Sequence, residues 1–202
     1  MKQSYLDLIE AMSELDPPLF VFGGVAEDAL LDRRLSRPHA DVDVMVARED
    51  LGQRIRQCDA LGFRDFEVNY EAIRGRPLAL GAQAGEMYLE LGVCDSDADG
   101  YYFAVIDQAG DLCNIRVRDD LFAYPATLIE GTPVHTISPL ALYQIREGLG
   151  ITGSFGALRP KDLAVQRRLK SAFLADHAEE ELRPRIEKFG PPDVLEAPSI
   201  GE

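Results

Sequence analysis

The sequence of 202 residues has no tryptophan, and only three histidines and three cysteines. Cys58, Cys94 and Cys113 are odd in number and show no Cys-x-x-Cys spacing. They make neither a disulfide framework nor a zinc site, and are expected as free thiols in a reducing compartment. Positive charge is scarce too: Lys plus Arg total 21 against 35 for Asp plus Glu, a formal net charge of −14. Broad nucleic-acid binding needs clustered Lys and Arg, so the composition disfavours it. The surplus acid permits divalent metals or a cationic small substrate, and equally a merely solvated surface. No apolar run approaches the ~20 residues a membrane helix needs. Residues 1–15 carry acids inside their apolar pattern and lack the core of a signal peptide. A cytoplasmic protein with no membrane partner is expected. What is present is ordinary for a globular chain: 46% hydrophobic and 28% charged residues, enough to bury a core unaided.

Apolar spacing organises the first half. Tyr5, Leu8, Ile9, Met12 and Leu15 share a helical face, predicting a helix over 3–15 that Asp16-Pro17-Pro18 ends. Leu19 to Phe22 reads as a short buried strand closed by Gly23-Gly24, and helical spacing resumes at Val25. A polar loop over 33–40 leads into Asp41-Val-Asp-Val-Met-Val46, an alternating strand. A helix is expected over 48–61, with Gly62 at its C-cap. Strand-like runs follow at 64–70, 78–83, 86–93, 101–106, 112–117 and 133–137. Ser138-Pro139 opens a helix. Four glycines make 147–158 a loop, 160–175 is helical, and a charged helix extends to 188. This order implies an α+β fold: a core over 1–137, a helical part over 138–190 and a loose tail over 191–202.

Asp41 and Asp43 are two apart on a strand, so both carboxylates leave the same face. Adjacent anions repel unless a cation lies between them, and a hard divalent ion is the natural partner. An exposed polar strand face would read the same way. Two neighbours favour the metal. Gly23-Gly24 closes a strand ahead of a helix, where backbone N–H groups can converge on phosphate. Arg33, Arg34, Arg37 and His39 crowd the loop that leads into the two aspartates. A third carboxylate would come from strand 86–93, where Glu86 and Glu90 share a face with Tyr88. Glu90 lies between Leu89 and Leu91, a costly place for an acid without compensation. Three such carboxylates suit a two-metal site.

The segment Gly23-Gly24-Val-Ala-Glu-Asp28 … Arg33 … Arg37-Pro-His39-Ala-Asp41-Val-Asp43 resembles the signature of the nucleotidyltransferase superfamily, in particular the aminoglycoside and lincosamide antibiotic branch. The resemblance returns at Gly131 to Pro139 and at Arg159-Pro160-Lys161-Asp162-Leu163, and spans roughly residues 19–170 with a poorly matched middle. It implies a polymerase-β-like mixed sheet with a helical C-terminal part. It implies transfer of a nucleoside monophosphate from an NTP, with ATP the expected donor, to a hydroxyl of a small acceptor that can be cationic, with pyrophosphate released. Asp41, Asp43 and Glu90 would be catalytic and hold magnesium, two ions in all. Gly23, Gly24, Arg37, His39 and Lys161 would contact the nucleotide, with Asp28 a weaker match. The chain departs from the branch at Val25, where an aromatic residue is frequent, and in having no tryptophan. Both departures fall in regions that shape the acceptor pocket. The same core also serves toxin-type enzymes that modify tRNA or protein, and non-catalytic NTP-binding modules.

Overall fold

A computed structural model describes residues 2–39 and 41–192. Of the expected tail, residues 193–202 lie outside the described residues. The chain opens with α1 (Lys2–Ser13), β1 (Phe20–Phe22), α2 (Gly23–Leu31) and β2 (Asp41–Ala47). A 3₁₀ turn (Arg48–Asp50) leads into α3 (Leu51–Ala60), followed by β3 (Glu67–Ile73), β4 (Arg76–Ala84) and β5 (Met87–Asp97). Then come β6 (Gly100–Ile106), β7 (Leu112–Arg116), β8 (Thr127–Ile129) and β9 (Thr132–Val134). The rest is α4 (Pro139–Thr152), α5 (Pro160–Phe173), α6 (Glu179–Leu182) and β10 (Arg185–Lys188).

The main sheet has eight strands on the path β1-β2-β5-β6-β7-β10, with β4 also on β5 and β3 on β4. β2 and β5 run parallel, and every other strand pair in it is antiparallel. The mixed α+β sheet expected from the sequence is therefore present. Alternation decides the two faces of its central pair. Val42, Val44 and Val46 of β2, and Leu89, Leu91 and Val93 of β5, are almost completely buried on one side. Asp41 and Asp43, with Tyr88 and Glu90, take the other. α1 buries Tyr5, Leu8, Ile9 and Met12, the face its spacing predicts. All three cysteines are free and buried, and burial pushes the Cys58 thiol up to about 12. No helix among the described residues is long and apolar enough to cross a membrane.

Two expectations need correction in the C-terminal part. The loop assigned to 147–158 begins only after Thr152, because α4 runs through Gly148 and Gly150. These glycines serve packing rather than turning. A Cβ at Gly148 would overlap Cγ2 of Ile115, and one at Gly150 would stand 2.7 Å from Cδ1 of Leu158. The charged helix expected up to 188 stops at Leu182, and Arg185–Lys188 joins the sheet edge beside β7. Tertiary ion pairs hold this segment at the edge, although Arg185 lies directly opposite Arg116 in the register. Arg116 of β7 pairs with Glu187 at 2.9 Å, and Lys188 with Asp107 at 2.6 Å. The run expected at 133–137 is a strand only over Thr132–Val134, paired with the unforeseen β8. Ser138 caps α4 as its sequence predicts, its Oγ accepting from the Ala141 N–H at 3.0 Å.

Candidate active site

β2 delivers Asp41 and Asp43 to one face, and its parallel register sets Asp43 opposite Glu90 and Asp41 opposite Tyr88. Asp41 is exposed and Asp43 half-buried. Burial, then the anions of Asp41 and Glu90, push the Asp43 carboxyl up to about 7, with Arg37 opposing. Tyr5 donates to the Asp41 carbonyl at 2.5 Å, tying α1 to the start of β2. Burial and the same two aspartates push its phenol above the ordinary range. Glu90 is oriented by Asn69 of β3, whose amide donates to Glu90 Oε2 at 2.8 Å and to the Tyr88 hydroxyl at 2.6 Å. Gly81 makes this crossing possible, since a Cβ there would overlap the Tyr88 oxygen. Glu86 lies in the exposed turn between β4 and β5, off the strand face that carries Glu90.

The glycine pair occupies the start of α2, and both positions are close approaches. Gly23 has φ +64°, and a Cβ on it would overlap Oδ2 of Asp43. A Cβ on Gly24 would come within 2.9 Å of both Arg37 and His39. No side chain caps this helix start. The first turn of a helix leaves its N–H groups without intrahelical partners, and Gly23 and Gly24 line the adjoining cleft.

Asp28, one turn further along α2, shapes the basic loop. Its carboxylate accepts from the Ser36 N–H and Oγ, both at 2.7 Å, and meets His39 Nε2 at 2.8 Å. His39 is thereby buried beneath the glycines, with its ring 6.0 Å from that of Tyr5. It does not line the cleft that Arg37 enters. Its contact with Asp28 supports the loop.

A cleft of about 450 Å³ brings together Gly23, Gly24, Arg37, Asp41, Asp43 and Lys161. Six of the eight expected site residues thus share one concavity. Glu90 and His39 are the two outside it. Glu90 opens instead into an adjoining, mainly apolar cavity of about 540 Å³. Asp43 and Arg159 line both spaces. The far wall of the cleft comes from α4 and α5. Arg146 pairs with Glu27 of α2 and donates to Asp162 at 2.9 Å, and Arg168 reaches Asp32 at 2.8 Å. Asp162 also accepts from the Arg159 backbone N–H at 3.0 Å and its Nε at 2.8 Å. Arg159 chiefly holds the Asp162 carboxyl well below the usual range. Two participants were missed from sequence. Arg159 adjoins Pro160-Lys161, so the Arg-Pro-Lys-Asp stretch carries its signal. Asn69 has no local signal, since only strand pairing brings β3 to Glu90.

Among the described residues, no three His, Cys, Asp or Glu side chains form a ready-made metal cage. The donor set nevertheless fits a hard divalent cation. It supplies carboxylate oxygens only, and the upward push on Asp43 reflects negative charge that a cation would offset.

The chain shares its fold with the antibiotic-resistance factor ANT(2'')-Ia. The solution structure of the antibiotic-resistance factor ANT(2'')-Ia matches with a TM-score of 0.57 and 21% identity, over 90% of this chain and 89% of that one. The crystal structure of ANT(2")-Ia in complex with adenylyl-2"-tobramycin gives 0.56 and 21%, over 89% and 92%. The lincomycin-bound lincosamide antibiotic adenylyltransferase LnuA aligns over 85% of this chain and 95% of its own at 19% identity, with a TM-score of 0.47. No protein-family model and no curated protein matches the sequence.

Proposed function

We propose that the protein transfers a nucleoside monophosphate from an NTP, with ATP the expected donor, to a hydroxyl of a small molecule, releasing pyrophosphate. The acceptor classes this reading admits include antibiotics of the aminoglycoside or lincosamide kind. The observation that carries this reading is that Asp43 lies at the junction of two dissimilar spaces. One is polar and lined by Arg37, Lys161 and the start of α2, and the other is mainly apolar and receives Glu90. The shared fold supports the same reading.

In this mechanism the chain supplies position and charge. The triphosphate lies along the uncapped start of α2, with Gly23 and Gly24 giving the backbone room to approach it. Arg37 and Lys161 offset its charge and that of the departing pyrophosphate. Asp41, Asp43 and Glu90 would hold magnesium, two ions in all. When bound, these ions neutralise phosphate charge and acidify the attacking hydroxyl. The acceptor enters from the apolar side, its hydroxyl directed towards the α-phosphorus and in line with the leaving group. Glu90, aimed by Asn69, takes up the proton that the hydroxyl loses.

The test is pyrophosphate release with Mg²⁺ and each of ATP, GTP, CTP and UTP across hydroxylated antibiotics. Release dependent on both acceptor and Asp43 is expected. Equal release by wild type and Asp43→Asn would sink the assignment.

A further inference from the structure

Resting on that reading, we propose that the acceptor is a neutral molecule with an apolar, ring-bearing body and a hydroxyl at one end, bound in the 540 Å³ cavity. Its volume lies within the roughly 300–1,000 Å³ of small-molecule pockets.

The chemistry of its walls favours a neutral body over a polycation. Among the described residues, three charged side chains line it: Asp43, Glu90 and Arg159. The two acids belong to the reaction, and Glu90 already accepts from Asn69. Arg159 is itself a cation, held in place by Asp162. Each ammonium group of a polycation would lose its hydration here without gaining a carboxylate, beside a like charge.

The rest of the wall suits an apolar body. Met45 and Gly92 form part of it, and the absent Gly92 side chain lets the Phe22 ring lie against β5, within 2.8 Å of where a Cβ would be. Ile145 and Leu149 of α4 contribute opposite. Tyr70 and Phe155 pack on each other in its wall with ring centroids 5.0 Å apart. The Tyr70 hydroxyl accepts from the Ile106 N–H at 3.0 Å, which turns its polar end to the sheet and its ring face to the cavity. Phe155 is 58% exposed on the loop between α4 and α5. An aromatic side chain left that open beside an apolar cavity gains burial when a matching ligand arrives.

The experiment compares two panels with Mg²⁺ and the NTPs: neutral hydroxylated aryl compounds led by chloramphenicol, and aminoglycosides led by tobramycin. Pyrophosphate release is expected with neutral members only. Phe155→Ala should raise the acceptor KM at least fivefold and leave the NTP KM unchanged. Release with aminoglycosides alone, or an acceptor KM unmoved in Phe155→Ala, overturns the inference while leaving nucleotidyl transfer in place. No release with either panel instead takes down the parent reading. Calorimetry with chloramphenicol then decides the cavity by itself: submillimolar binding weakened in Phe155→Ala upholds the apolar site, and no binding overturns it.

Discussion

Asp43 of β2 and Glu90 of β5 are direct neighbours in a parallel register, so two carboxylates from chain segments 47 residues apart meet on one sheet face. Asp43→Asn and Glu90→Gln should each lower kcat by about 100-fold or more, the scale of losing a group that acts on developing charge. Asp43→Asn also removes an anion from between two others. Its melting temperature is expected to equal or exceed that of wild type. Thermal melts beside turnover assays separate lost chemistry from lost fold.

Gly23→Ala places a side chain at φ +64° and against the Asp43 carboxylate. Left-handed backbone alone costs an L-residue roughly 1–2 kcal/mol. Denaturant titration should show at least that loss, with activity falling further because Asp43 must move. A fully active Gly23→Ala enzyme would show that this close approach is dispensable.

Gly148→Ala tests the helical interface. In an exposed helix this change stabilises by about 1 kcal/mol. Here the added methyl overlaps Ile115 of β7, and overpacking costs typically ~1–3 kcal/mol. The expected sign is therefore a lower denaturation midpoint. A higher midpoint would mean that α4 is not pressed against the sheet at this residue.

Acid should loosen the β10 edge. Asp107 accepts from Lys188 at 2.6 Å and from the N–H groups of Ala109 and Asp111 at 2.8 and 3.0 Å. The Lys188 hydrogen bond, foremost, lowers its carboxyl to about 2, against roughly 3.9 in an unfolded chain. A carboxyl held low by the fold contributes stability in full above about pH 4, and loses it as pH falls through about 2. The gap in melting temperature between wild type and Asp107→Asn should be constant from pH 5 to 7 and close towards pH 2. A gap independent of pH would remove the ion pair from the account.

Short-range pattern carried much of this structure. The one-residue spacing of Asp41 and Asp43 assigns both to one face wherever a strand forms, because strand side chains alternate. Gly23-Gly24 between an apolar strand and a helical run marks the turn, and Ser138-Pro139 marks a helix start, for equally local reasons. Other features had no local signature. Gly148 and Gly150 read as loop formers, since nothing in their neighbourhood reports Ile115 or Leu158. Residues 185–188 read as helix until Arg116 and Asp107 are brought alongside.

The sequence by itself determined the strand that bears two carboxylates, the glycine turn before α2, the basic loop and the order in which they come. Each depends on dihedral preferences and periodicity within a few residues. Tertiary structure alone decided that Glu90 rather than Glu86 faces Asp43, that Asp28 draws His39 beneath the glycines, and that the second cavity is walled by apolar side chains. Those outcomes come from strand register and packing between distant segments. Register selects which alternate residues share a face, and packing selects which charges are spent on one another before any ligand arrives.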